Sequence, residues 1–383
     1  MRTSIVSGMP SNSQTQSGNT CPPAFDSQNA RWRGTCTYLS LSFASGFVEL
    51  GSLLYAIRLE APTFAVIAIG LAYQLGALAQ NPFALRWGRH PATPFIAVAS
   101  AVVAQWDYRA VWLAVLLLSI VLQDVREETL KLASVGTFPK RVARILGFAT
   151  SGSFSPLLMT LICVLVILAA RMVGRLSSGH RSYSRCIPKY STNILGAAMV
   201  LHQMHYFAYA YIMPIVFIRV HALGYWYAGL AFALGWISYS ITPSVLSRLP
   251  SVSLVVYGHV CVAATLFLMA CYYDRLVLLL AAWFASGFGG GTVFGIRRLA
   301  VEKVALRRTG DLDIWENVGH VVGVIVAIVV VFIDTSPRVT FLVASGLSLL
   351  VAIIVLATKW RLHPDSDSVG AGPADGRPSG AQQ

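Results

Sequence analysis

The sequence is built of apolar runs, most of them close to 20 residues long, and a run of that length is what an α-helix needs to cross a bilayer core of about 30 Å. They fall near 36–58, 62–84, 93–106, 109–124, 145–171, 193–218, 223–246, 252–273, 276–296, 315–334 and 339–358. In lipid each backbone N–H and C=O must find a partner within the chain, so runs of this kind cross as helices. The expected fold class is an all-α polytopic membrane protein. Charged residues make up 12% of the chain, about half the share of an ordinary soluble domain, and they gather between the runs.

The ends differ from the middle. Residues 1–34 are rich in Ser, Asn, Gln and Pro and lack the apolar segment of a signal peptide, so they read as a disordered cytoplasmic leader. Residues 361–383 have the same character and read as a disordered cytoplasmic tail. Six cysteines are scattered without a CxxC pair, which suggests neither a disulfide framework nor a thiolate metal site. No cofactor and no metal-binding set is expected. The formal net charge of +13 does not point to nucleic acid, because the cations lie in short loops beside apolar runs, where they report membrane orientation.

Their distribution sets the sides. In the first half, the leader (Arg2, Arg31, Arg33), the loop with Arg86 and Arg89, and the segment with Arg126, Lys131, Lys140, Arg141 and Arg144 oppose only Arg58 and Arg109. In the second half, Arg248, the group from Arg297 to Arg308, and Lys359, Arg361 and Arg377 oppose Arg219, Arg275 and Arg338. The basic-rich sets are expected to be cytoplasmic, and so are both termini and the linker 172–191. That requires an even number of crossings before the linker, yet the runs up to residue 171 number five. The stretch 145–171 is too long for one ordinary span and too short for two, and GFATSGSFSP, ending at Pro156, is its weak point. Either it is a broken or re-entrant pair, or it is one long helix with a local violation of the charge rule.

Two similar helical halves, 35–171 and 192–360, joined by a basic linker resemble the major facilitator superfamily of secondary transporters. The halves echo each other: AQWDYRAVWLA follows the third run and CYYDRLVLLLA its counterpart. The loop NPFALRWGRH matches the family's signature after its second helix at Arg86, Gly88 and Arg89, a gating loop in that family. Asn81 and Leu85 stand where the family has Gly and Asp. GSFSP partly matches the Gly-Pro signature of proton antiporters. The resemblance implies two six-helix bundles with 11–12 transmembrane helices, an abbreviated fifth and sixth helix region, and a monomer in the plasma (inner) membrane. It also implies a small-molecule solute and protons as the transported partners.

Polar side chains inside the runs are costly in lipid, by about 2.5–3.5 kcal/mol for a charge at the centre, so they usually face a cavity or a partner. Glu49, in SFASGFVELGSLL, is the clearest carboxylate of this kind, and Gly46 and Gly51 would let a neighbour approach it. In LHQMHYFAYAY, His202, His205, Tyr206 and Tyr209 fall on one helical face and Tyr211 on the opposite side. The resemblance implies that this face lines the central cavity and binds solute, with Glu49, on the symmetry-related first helix, and His202 coupling transport to protons. Asn317 and His320 form a further candidate pair. The expected activity is transport rather than catalysis, with export of a siderophore-like or other chelating metabolite favoured over uptake. A membrane metalloenzyme using His202 and His205, and a transporter-like receptor, are the alternatives.

Overall fold

The computed structural model describes residues 24–78, 92–132, 137–155, 192–304 and 310–361, with positions 157, 158, 161, 162, 165 and 168. These are helical apart from short connections, and no strand occurs among them. The first half contains α1 (Ala24–Arg58), α2 (Thr63–Ala77), α3 (Thr93–Val103), α4 (Tyr108–Leu132) and α5 (Thr137–Thr150). The second contains α6 (Thr192–Ala210), α7 (Tyr225–Val245), α8 (Ser251–Tyr272), α9 (Leu276–Gly290), α10 (Phe294–Val304), α11 (Gly310–Ile333) and α12 (Pro337–Arg361). Segments of α1, α8, α9 with α10, α11 and α12 are long and apolar enough to cross a membrane. The linker 172–191, the tail from residue 362 and the gating-loop residues Arg86, Gly88 and Arg89 lie outside the described residues. α1 begins at Ala24, inside the segment expected to be disordered to residue 34.

The stretch 145–171 is broken. α5 runs from Thr137 to Thr150 and ends in a 3₁₀ turn, Ser151–Ser153, after which the backbone is extended at Phe154 and helical again at Leu157. The additional helix length lies upstream: α5 begins within the basic segment that carries Lys140, Arg141 and Arg144. Lys140, Arg141 and Arg144 are therefore helix residues, and each lies over an aromatic ring, Tyr38, Tyr239 and Trp236 respectively. An amphipathic helix can carry cations inward when rings and a carboxylate receive them, and loop charge counting does not see that.

Packing repeats between the halves. α1 packs on α5 and α2 on α4, while in the second half α6 packs on α11 and α7 on α9. The first connection of each half also carries one non-glycine residue in the left-handed region, Glu60 (φ 57°) and Ala222 (φ 51°). At Glu60 this closes the C-terminus of α1, with the Ala61 N–H donating to the Ala56 carbonyl at 3.0 Å. α2 against α11 and α5 against α7 join the halves.

At the end of the bundle remote from the chain termini, the halves meet directly. Arg219 donates to the Ala61 carbonyl and to Thr63 Oγ1, and Phe64 meets Phe332 edge-on with centroids 6.2 Å apart. Arg58 lies over the Tyr225 ring at 4.5 Å.

Candidate functional site

Glu49 lies roughly ten residues from the remote end of α1, about 15 Å along a helix and so near the middle of a bilayer-spanning bundle. Gln74 on α2 and Arg144 on α5 reach the same depth. What brings Arg144 close is a glycine crossing: Gly46 of α1 abuts the Arg144 backbone, and Gly147 of α5 abuts the Phe43 and Phe47 backbone. A side chain at either position would push the two helices apart.

The carboxylate is fully engaged. Arg144 Nη2 donates to Glu49 Oε2 at 2.5 Å, while Tyr211 Oη, at 2.9 Å, and Gln74 Nε2, at 3.3 Å, donate to Oε1. Gln74 Nε2 also donates to the Tyr211 hydroxyl at 2.5 Å. Glu49 is 2% exposed and Arg144 22%, so this is an ion pair shielded from water on one side. Arg144 Nε is buried and finds no partner. The guanidinium lies 5.0 Å from the Trp236 ring centroid and 5.6 Å from that of Phe148.

Tyr211 belongs to the second half, so the Glu49 carboxylate bridges the halves. Its ring fills the space left by Gly70 on α2. It also sits at a break in its own helix: α6 ends at Ala210, and Pro214 removes the N–H that would bond the Ala210 carbonyl. The chain continues through Met213–Ile215 and a π-helical turn, Val216–Val220. Unwound backbone at membrane depth is tolerated where protein covers it, and here Tyr211 and Ile212 are buried.

The helical face read from LHQMHYFAYAY is present, but it looks elsewhere than expected. His202 and His205 point into the second half against His259 of α8, with ring centroids 5.0, 5.0 and 5.6 Å apart across the three pairs. Tyr209 donates to Ser286 of α9 at 3.3 Å, and Tyr206 packs between Trp236 and Trp283. The opposite face, carrying Phe207 and Tyr211, turns toward α11 and the first half. Wheel geometry gives relative directions on a helix and not which direction is inward, so it does not distinguish Tyr211 from a packing residue.

His320 lies against Phe207, with centroids 4.5 Å apart, and its Nε2 is 4.0 Å from Glu316 Oε1. Glu316 accepts from Arg297 and, at 3.2 Å, from Gln203. Asn317, next to Glu316, is half-buried. Three groups escaped sequence reasoning. Arg144 was hidden in a basic cluster, Tyr211 lay on the wrong side of the wheel, and His259 is a lone histidine in an apolar run. Arg144 alone carried a signal, since a carboxylate within a span asks for a cation at matching depth.

No protein-family model matches the sequence, and no curated protein matches it. Solved structures do resemble it. The nucleoside transporter NupG superposes with a TM-score of 0.63 at 14% identity, over 86% of this chain and 99% of that one. A bacterial homologue of the iron transporter ferroportin, in an inward-facing state, gives 0.63 at 12% identity over 88% and 99%. A bacterial metal transporter gives 0.63 at 14% over 87% and 98%. With two halves of matching internal packing joined across α2–α11 and α5–α7, the chain has the major facilitator fold, at low sequence identity to these structures.

Proposed function

We propose that the chain is a proton-coupled secondary transporter of a small polar or charged solute, exchanging it for protons across the plasma membrane. The observation that carries this reading is the Glu49 carboxylate, held at once by Arg144 of the first half and Tyr211 of the second. A bridge of this kind is sensitive to whatever binds either partner, and the structural neighbours are named as transporters of nucleosides, iron and metals.

The sense of the exchange follows from competition. A solute whose cationic or hydrogen-bond-donating group takes the Glu49 oxygens competes with a proton for the same atoms, so the two move in opposite directions and export follows inward proton flow. Tyr206 and Trp236 would flank such a solute, with His320 and Asn317 toward the end nearer the termini. A second reading rests on the unpartnered Nε of Arg144. A carboxylate or chelate drawn to that guanidinium would free Glu49 to take a proton, and solute and proton would then travel together.

Everted membrane vesicles carrying the protein, given a metabolite extract and an acidified lumen, would be assayed by mass spectrometry. The expected result is a solute that accumulates only with the protein and only under the pH gradient, and no longer does so in Glu49→Gln. A normally folded Glu49→Gln that keeps full gradient-driven accumulation would make Glu49 a packing residue and remove the coupling proposal.

A further inference from the structure

Three imidazoles converge inside the second half, away from the Glu49 bridge: His202 and His205 on successive turns of α6, and His259 on α8. They are 1%, 0% and 0% exposed. One ring nitrogen from each lies within 4.8 Å of the others. We propose that this cluster is a binding site for a divalent transition-metal ion, of the zinc, cobalt, nickel or copper kind, which ties α6 to α8.

The hydrogen bonds already orient the ligands. His259 Nδ1 is 2.7 Å from the Val255 carbonyl, which only accepts, so Nδ1 carries the hydrogen and Nε2 presents a lone pair to the cluster. A hydrogen bond from the far nitrogen to a backbone carbonyl is the outer support that metal-bound histidines ordinarily have. His202 Nδ1 lies 2.8 Å from that Nε2 and supplies the hydrogen between them. Moving this hydrogen to its own Nε2 would turn the His202 Nδ1 lone pair inward as well.

His205 is the decisive residue. Both its ring nitrogens are buried and meet no partner of hydrogen-bond geometry. An unmet buried polar group is costly, by more than an ordinary hydrogen bond contributes.

His205 thus has two unmet buried nitrogens beside two other imidazoles, and a metal ion would meet one of them.

Three neutral imidazoles with no carboxylate or thiolate among them suit borderline transition ions and not calcium or magnesium. Metal–nitrogen bonds of about 2.0–2.1 Å put two nitrogens of a tetrahedral site about 3.4 Å apart. The His202–His259 contact would therefore open slightly and His205 would swing inward, both by side-chain rotation. The fourth position is left to water or to another ligand. Because all three residues lie in one half, the site would persist while the halves move, and it would stiffen the helix that presents Tyr211.

The test uses the full-length chain, purified without a histidine tag and stripped with chelator, then titrated with Co²⁺. The expected result is one ion per chain with the visible absorption of tetrahedral cobalt, and displacement by Zn²⁺. His205→Leu is the main variant, since it removes unsatisfied nitrogens and is expected to keep or raise the metal-free melting temperature while weakening Co²⁺ binding by at least about 100-fold. His259→Gln should also lose the spectrum, whereas Glu49→Gln should keep it, which separates this site from the transport proposal. Absence of the cobalt spectrum in the folded wild type, or its survival in folded His205→Leu, would overturn the proposal.

Discussion

Replacing Tyr211 with phenylalanine removes one hydroxyl from the bridge and leaves the ring in the space beside Gly70, so no cavity opens. The lost contact is a 2.9 Å hydrogen bond to a carboxylate, a kind that contributes about 1.5–3 kcal/mol. Gln74 keeps its bond to Glu49 at 3.3 Å but loses the Tyr211 hydroxyl as acceptor for its second N–H, which adds to the cost. If the bridge exists only while the halves are arranged as seen here, Tyr211→Phe should shift the balance away from this arrangement by roughly 10- to 150-fold. Spin labels at Trp106 and Val277, exposed residues near the remote ends of the two halves, would read that shift as a new distance population in lipid nanodiscs. In Glu49→Gln the partner charge is already gone, so adding Tyr211→Phe should change the distribution much less. An unchanged distribution in Tyr211→Phe, or equal effects in both backgrounds, would show that the bridge does not hold the halves.

Two further predictions concern the pair and the topology. Arg144→Leu leaves the Glu49 carboxylate buried without its cation and should cost about 3–5 kcal/mol of stability, much of it recovered in the double variant with Glu49→Gln; thermal unfolding in detergent measures both. Single cysteines at Ser247 and Thr335, both exposed and at opposite ends of the bundle, should label from opposite sides of the membrane in a chain freed of its native cysteines, with Ser247 on the cytoplasmic side.

The helices were legible because lipid imposes a length and forbids unpaired backbone, and those constraints act on each run separately. Glu49 was legible for the same reason, as a lone carboxylate in an apolar run. Its partner was not, because Arg144 stands among other cations at a helix start, and charge counting assigns such groups to a loop. The break after α5 was foreshadowed by GFATSGSFSP, but not the upstream start at Thr137 that lets α5 reach across. His259 could be assigned to the His202–His205 pair only through the side-chain contact of α8 with α6, a contact between segments far apart in the chain. Pairings of that kind depend on how helices cross, which periodicity within one helix does not encode.

The contacts that join the halves at the remote end differ in kind from the bridge at mid-depth. Arg58 and Arg219 are exposed, and water can solvate their guanidinium groups and the Ala61 carbonyl nearly as well as the protein does. That end is a door on a light spring: parting it costs little, and it should open and close often. Separating Glu49 from Tyr211 of the other half is another matter, because water does not reach the carboxylate to replace what is lost. The resistance to parting the halves then resides in a few buried hydrogen-bonding side chains at mid-depth and not in the contacts at the remote end, so a change at that one point can weigh on how the whole molecule is held together.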